Sequence, residues 1–237
     1  MASPQCCADP ATLNPAGGEG RVVDSLGGIA AYVAGVRESK AAVVLISDIF
    51  GKIADKVASS GYFVVVPDFL HGDPFVPENA DRPIQVWIKE HATGKAFEEA
   101  KPVIAALKEQ GVSTVGAAGY CWGAKVVAEL AKANEIQAAV MLHPSAVTVD
   151  DIKEVKCPIA VLGAENDKTS PPELVKQFEQ VLSSNTGLQA AAVISNTSGK
   201  ATGRSPTPAA FQTLVPIEYV YRVTGTILSL QRSTCRN

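Results

Sequence analysis

The sequence predicts an α/β protein built on a mostly parallel sheet with helices on both faces. Three observations carry that prediction. Short apolar runs rich in Val, Ile, Leu and Ala alternate with segments of helical spacing, the pattern of strands buried on both sides between crossover helices. Gly119-Tyr120-Cys121-Trp122-Gly123 stands between a β-prone run and a run of good helix formers. Polar residues follow the apolar runs, where an open α/β sheet gathers its ligand chemistry. At 237 residues and 46% hydrophobic content, the chain can bury a sizeable single core.

In chain order, residues 1–26 carry no periodic signal and are expected to be a flexible segment ahead of the α/β domain at 27–187. Residues 41–47 read as a first strand and 62–67 as a second, with a helix at 52–60 between them, which makes one βαβ unit. A loop rich in Pro, Asp and Gly spans 68–83, followed by helical stretches near 84–91 and 95–110, the latter carrying Pro102. Residues 113–118 form the strand that enters the glycine-flanked turn, and 124–131 the helix that leaves it. Strands at 137–142 and 158–163 continue the series. Residues 172–183 read as a helix opening on Pro172, where a missing N–H costs nothing. Beyond it, 188–194 has the makings of a short strand and 215–230 is strand-like.

Strand, sharp turn and helix is the context of a nucleophile elbow, here with Cys121 in place of the more usual serine. Glycines on either side relieve a crowded backbone and let a strained residue project into a cleft. The turn places the sulfur at a helix N-terminus, where unpaired N–H groups and the helix dipole favour thiolate. The backbone N–H of Trp122 is then directed at a developing oxyanion. The alternative is a buried structural cysteine in a glycine-rich turn. Asp167, after the strand at 158–163, follows the nucleophile in chain order as a triad acid does; its alternative role is to cap the loop before the next helix.

Composition excludes several other classes. The five cysteines, Cys6, Cys7, Cys121, Cys157 and Cys235, lack the paired spacing of a disulfide framework or zinc cage, which suits a reducing, cytoplasmic setting. No basic leader precedes an apolar run and no stretch is long and apolar enough to span a bilayer, so no membrane partner is expected. Net charge is −3; the residues after Gly187 carry +4 from Lys200, Arg204, Arg222, Arg232 and Arg236 against Glu218, leaving −7 on the preceding part. An acidic body argues against nucleic acid.

The motifs Ser47-Asp48-Ile49-Phe50-Gly51, Val66-Pro67-Asp68-Phe69, Gly119-Tyr120-Cys121-Trp122-Gly123-Ala124 and Gly163-Ala164-Glu165-Asn166-Asp167 resemble the dienelactone hydrolase family of α/β-hydrolases, in its plant-like branch, over about residues 27–187. The resemblance implies an α/β-hydrolase fold and a carboxymethylenebutenolidase-like activity on small esters or lactones, without a cofactor. It implies Cys121 as nucleophile, Asp167 as triad acid, the backbone N–H groups of Ile49 and Trp122 as oxyanion hole, and Asp48 as an acid contacting the resting cysteine. Some plant relatives are labelled glucan hydrolases, a label that calls for two carboxylates flanking a sugar.

Two departures from the family pattern bear on activity. The segment after Gly51 is shorter than the family's, because Lys52-Ile53-Ala54-Asp55 begins at once. Residues 188–237 contain no His and are rich in Ser, Thr and Ala; in place of the family's last strand, catalytic His and closing helix they are expected to form a poorly ordered tail, closer to translated non-coding sequence than to a second domain. The fold is therefore expected to be incomplete at its C-terminal side. The histidines are His71, His91 and His143. His71, in a loop at the reactive edge, and His143, ending the strand beside the elbow strand, are candidates to line the pocket, whereas His91 reads as a surface residue. A zinc site from His71, Asp73 and His143 matches no metal motif, so no metal is expected. The expectation is a cysteine hydrolase impaired by lack of a base, the alternative a catalytically inactive family member acting as a binding module.

Overall fold

The structure, a computed structural model, describes residues 20–46, 54, 57–58, 61–76, 79–164, 167–185, 190–195 and 201–203. The strands are β1 (Arg21–Leu26), β2 (Ile29–Gly35), β3 (Ala41–Ile46), β4 (Phe63–Pro67), β5 (Thr114–Tyr120), β6 (Ala138–Leu142), β7 (Ile159–Ala164), β8 (Ala190–Ser195) and β9 (Ala201–Gly203). The described helices are α1 (Ile84–Glu90), α2 (Thr93–Glu109), α3 (Trp122–Lys132), α4 (Val149–Lys153) and α5 (Pro172–Ser184). Each strand and helix expected between residues 62 and 183 is present within a few residues of its predicted bounds. Of the helix expected at 52–60, Ala54, Val57 and Ala58 are described; they are helical and buried.

One sheet runs in the order β1-β2-β4-β3-β5-β6-β7-β8-β9. From β4 to β8 every neighbouring pair is parallel, while β1, β2 and β9 join antiparallel. Period-two alternation divides the buried strand residues between two cores. Val44, Ile46, Met141, Ile159 and Val161 face one, with Ile104 and Leu107 of α2, Val127 and Leu130 of α3 and Phe178 of α5. Val43, Leu45, Val140 and Leu162 face the other, with Ala54, Val57 and Ala58. This two-sided burial explains why the strands are continuous apolar runs and why periodicity located them.

At the edges one expectation is corrected and another, the short strand at 188–194, is met. Residues 21–26, expected in a flexible segment, form β1, because Gly27 and Gly28, both at positive φ, turn the chain tightly so that Leu26 pairs with Ile29. On the other side, Ala190–Ser195 runs parallel to β7 from Ile159↔Ala190 to Ala164↔Ser195. The place beside β7 is thus occupied, and the sheet does not end there. The strand-like stretch at 215–230 lies outside the described residues.

Candidate active site

Cys121 joins β5 to α3 at φ 48 and ψ −109, a conformation costly for any residue with a Cβ. Its neighbours show how the fold holds it. A Cβ on Gly123 would meet the carbonyl of Ile46 in β3, and one on Gly119 would meet the carbonyl of Gly123. Both glycines are therefore demanded by backbone packed against backbone. The Cys121 N–H donates to the Leu142 carbonyl at 3.1 Å, and its own carbonyl accepts from Ala124 N–H at 3.2 Å and Ser145 N–H at 3.0 Å. Cys121 is 9% exposed at the N-terminus of an eleven-residue helix. The first N–H groups of a helix have no intrahelical acceptor, so the Trp122 amide is available in kind to an oxyanion.

The other expected residues have four different placements. His143 is brought beside the elbow: it sits at φ 35, donates its N–H to the Leu162 carbonyl at 2.7 Å, and belongs to the turn whose Leu142 and Ser145 both bond the Cys121 backbone. His71 is engaged elsewhere, its Nε2 lying 3.0 Å from Glu99 of α2 with its side chain 43% exposed. Asp48 and Ile49 lie outside the described residues. Asp167 follows β7; its Oδ1 accepts the N–H groups of Thr169 at 2.8 Å and Ser170 at 3.1 Å. That is the loop-shaping role held as its alternative, and it uses one carboxylate oxygen.

Two features were not legible beforehand. His91, read as a surface residue, keeps only 9% of its side chain exposed and stacks on Trp87; its carbonyl accepts the Trp122 indole N–H at 2.8 Å. Asp151, buried at the start of α4, receives Lys125 at 2.7 Å and Lys132 at 3.0 Å from α3, besides closing a capping box with Thr148. Burial alone would raise its carboxyl, but hydrogen bonds from Lys125, Thr148 and Lys132 outweigh that and hold it well below the usual carboxylate range. The spacing of Lys125, Glu129 and Lys132 on one helix face was the available signal, but it did not reveal the partner. Among the described residues, Asp73, Glu90 and His91 bring metal-type donors within 4.8 Å of one another, a set different from the His71–Asp73–His143 group. The Arg82 guanidinium already pairs with both carboxylates, which makes the cluster a poor cation site. No helix among the described residues is long and apolar enough to cross a membrane.

The model of the dienelactone hydrolase family matches residues 29–195. An endo-1,3;1,4-β-D-glucanase of Zea mays is 49% identical over 171 residues, covering 69% of this chain and 55% of that protein. The carboxymethylenebutenolidase homolog of Mus musculus is 32% identical over 151 residues, covering 60% of this chain and 62% of its own. The chain thus spans 55 to 62% of the length of these curated relatives. Among solved structures, a dienelactone hydrolase-like promiscuous phosphotriesterase from metagenomic libraries superposes with a TM-score of 0.57 at 19% identity, covering 90% of this chain and 97% of that one. At that identity the likeness shows the α/β-hydrolase fold alone.

Proposed function

The chain belongs to the dienelactone hydrolase family, and from that premise we propose that Cys121 is the nucleophile of a site for small carboxylic esters or lactones in which acylation outruns deacylation. The observation that carries this is the elbow itself: a cysteine at φ 48 whose strain is held by Gly119 and Gly123 packed against neighbouring backbone. A structural cysteine needs no such conformation.

In the first half-reaction the Cys121 thiolate attacks the ester carbonyl carbon. Charge moves to the carbonyl oxygen, where the Trp122 N–H, with that of Ile49 as the family pattern implies, stabilises it. The C–O bond then breaks, leaving a thioester on Cys121 and an alkoxide that must find a proton. A general base that had taken the Cys121 proton would return it to the alkoxide as its conjugate acid and then accept a proton from water for deacylation. Residues 144–237 contain no His, so they supply no base in the chain order of nucleophile, acid, base. His143 is the substitute that the backbone contacts favour. Its loop already bonds the Cys121 backbone, and Asp167 would serve as acid in its family position.

The full chain treated with p-nitrophenyl acetate should release about one equivalent of p-nitrophenol in a burst, leave an acetyl group on Cys121 by peptide mass spectrometry, and turn over slowly thereafter. Absence of the adduct would remove Cys121 from the mechanism. Rapid multiple turnover lost in Cys121→Ala would show that a base is present, and His143→Ala and His71→Ala would identify it. The maize relative's name favours a second reading, cleavage of a mixed-linkage β-glucan; reducing sugar released from that polymer and abolished by Asp167→Asn would establish it instead.

A further inference from the structure

The Trp122 indole ends on a cluster that the chemistry above does not use. Arg82 forks onto Asp73, donating to Oδ1 at 2.7 Å and Oδ2 at 2.6 Å, and donates from Nε to Glu90 at 2.9 Å. The Asp73 carbonyl accepts the Trp87 indole N–H at 3.0 Å, and its Oδ2 lies 3.4 Å from His91 Nε2. His91 stacks on Trp87 with ring centres 4.3 Å apart and planes at 11°, and its Nδ1 lies 3.0 Å from the Trp87 carbonyl. Because α1 ends at Glu90, His91 leaves helical geometry at φ −110 and ψ 53. Its carbonyl is turned out of the helix and takes the Trp122 indole N–H at 2.8 Å. Both tryptophans in the chain are thus tied by their indole N–H groups to main-chain carbonyls of this one cluster.

We propose that Asp73, Arg82, Trp87 and His91 form a brace that fixes the Trp122 side chain and, through it, the backbone N–H that faces the oxyanion at Cys121. Trp122 is the first residue of α3, directly after the strained Cys121. Glycine packing holds the elbow from the sheet side, and the indole anchor holds the first helical residue from the other. At 7% exposure the Trp122 indole N–H must find a partner within the protein; the one it finds, the His91 carbonyl, ties the ring and the Cα that carries it to the end of α1. The ion pairs at the outer end are partly exposed, with 29% of the Arg82 and 46% of the Asp73 side chain open to solvent. Such pairs add little to global stability, so the brace is a positioning device rather than a staple. Its catalytic consequence rests on Cys121 being the nucleophile.

The test uses the full chain with 15N-labelled tryptophan, whose two indole resonances are assigned by Trp87→Phe. Arg82→Ala should speed hydrogen exchange at the Trp122 indole N–H and slow acetylation of Cys121 by p-nitrophenyl acetate, and Arg82→Lys should recover part of both. Trp122→Phe, which keeps an aromatic ring and removes the donor, should slow acetylation on the order of tenfold and leave alkylation by iodoacetamide, which forms no oxyanion, within about twofold. Unchanged indole exchange in Arg82→Ala, or equal loss of both reactions in Trp122→Phe, would overturn the brace. Wild-type protein that is alkylated but never acetylated at Cys121 would overturn the nucleophile instead, and the indole exchange would still decide the brace.

Discussion

Cys121 and Cys157 are both buried, at 9% and 3% exposure, and both stand beside strands of the same parallel sheet. They differ in everything that makes a thiol reactive. Cys157 precedes β7, at the amino edge of the sheet, and burial pushes its thiol up to about 11. Cys121 follows β5 at the carboxyl edge, at a helix N-terminus, in a backbone conformation that glycine contacts enforce. Burial alone therefore does not tell the two thiols apart; position along the strand and the helix N-terminus at its end do.

Alkylation should show the largest contrast. Burial keeps Cys157 as the neutral thiol at pH 7, so iodoacetamide should modify Cys121 at least about tenfold faster than Cys157 in the folded protein. Equal rates by peptide mass spectrometry would return Cys121 to the structural class. The next effect removes the elbow's special backbone. Gly123→Ala drives a methyl into the Ile46 carbonyl and should cost about 3 kcal/mol in a denaturant titration, with acylation of Cys121 lost while Cys157 stays protected below the unfolding transition. If Gly123→Ala were neutral, the glycines would not be holding the strain.

A smaller effect distinguishes local from global control. Asp151→Asn leaves Lys125 and Lys132 without their buried acceptor, and should cost about 2 kcal/mol, less than for a fully buried pair because each lysine keeps about a fifth of its surface exposed. Loosening the whole domain, it should raise the reactivity of Cys157 as well. The Asp151 carboxyl is depressed in the folded protein, so its contribution is complete above the ordinary carboxylate range and fades as pH falls below about 4. The variant should therefore show a shallower acid loss of stability. The smallest effect serves as a control: Gly94, near the start of α2 with open space around it, should gain about 0.5 kcal/mol on replacement by Ala and leave both cysteines unchanged.

Legibility followed the range of the interactions. The elbow was readable because its determinants lie within five consecutive residues, and the parallel strands because burial on both faces makes each an apolar run. The hairpin β1–β2 was missed although Gly27-Gly28 is a turn signal, because Arg21 to Leu26 is largely exposed and carries no clean alternation. His91 was misplaced for a different reason. Helix end and polarity both suggest a surface site, and its burial arises when its ring stacks on Trp87 beside Asp73 and Trp122 arrives from thirty-one positions along the chain.

By itself the sequence determined the fold class, the series of parallel strands and the placement of a cysteine in an elbow, since these depend on local propensity, hydrophobic period and nearby glycines. Only the tertiary structure decided which residues meet that cysteine. It set the His143 turn against the Cys121 backbone, sent His71 to Glu99, gave Asp167 a loop to shape, and tied Trp122 to His91. Apart from the Asp167 loop, whose partners lie two and three residues away, those pairings join strands and loops that are distant in sequence, and no short-range pattern encodes them. They form when closure of the sheet brings loops together and leaves each buried polar group to find a partner.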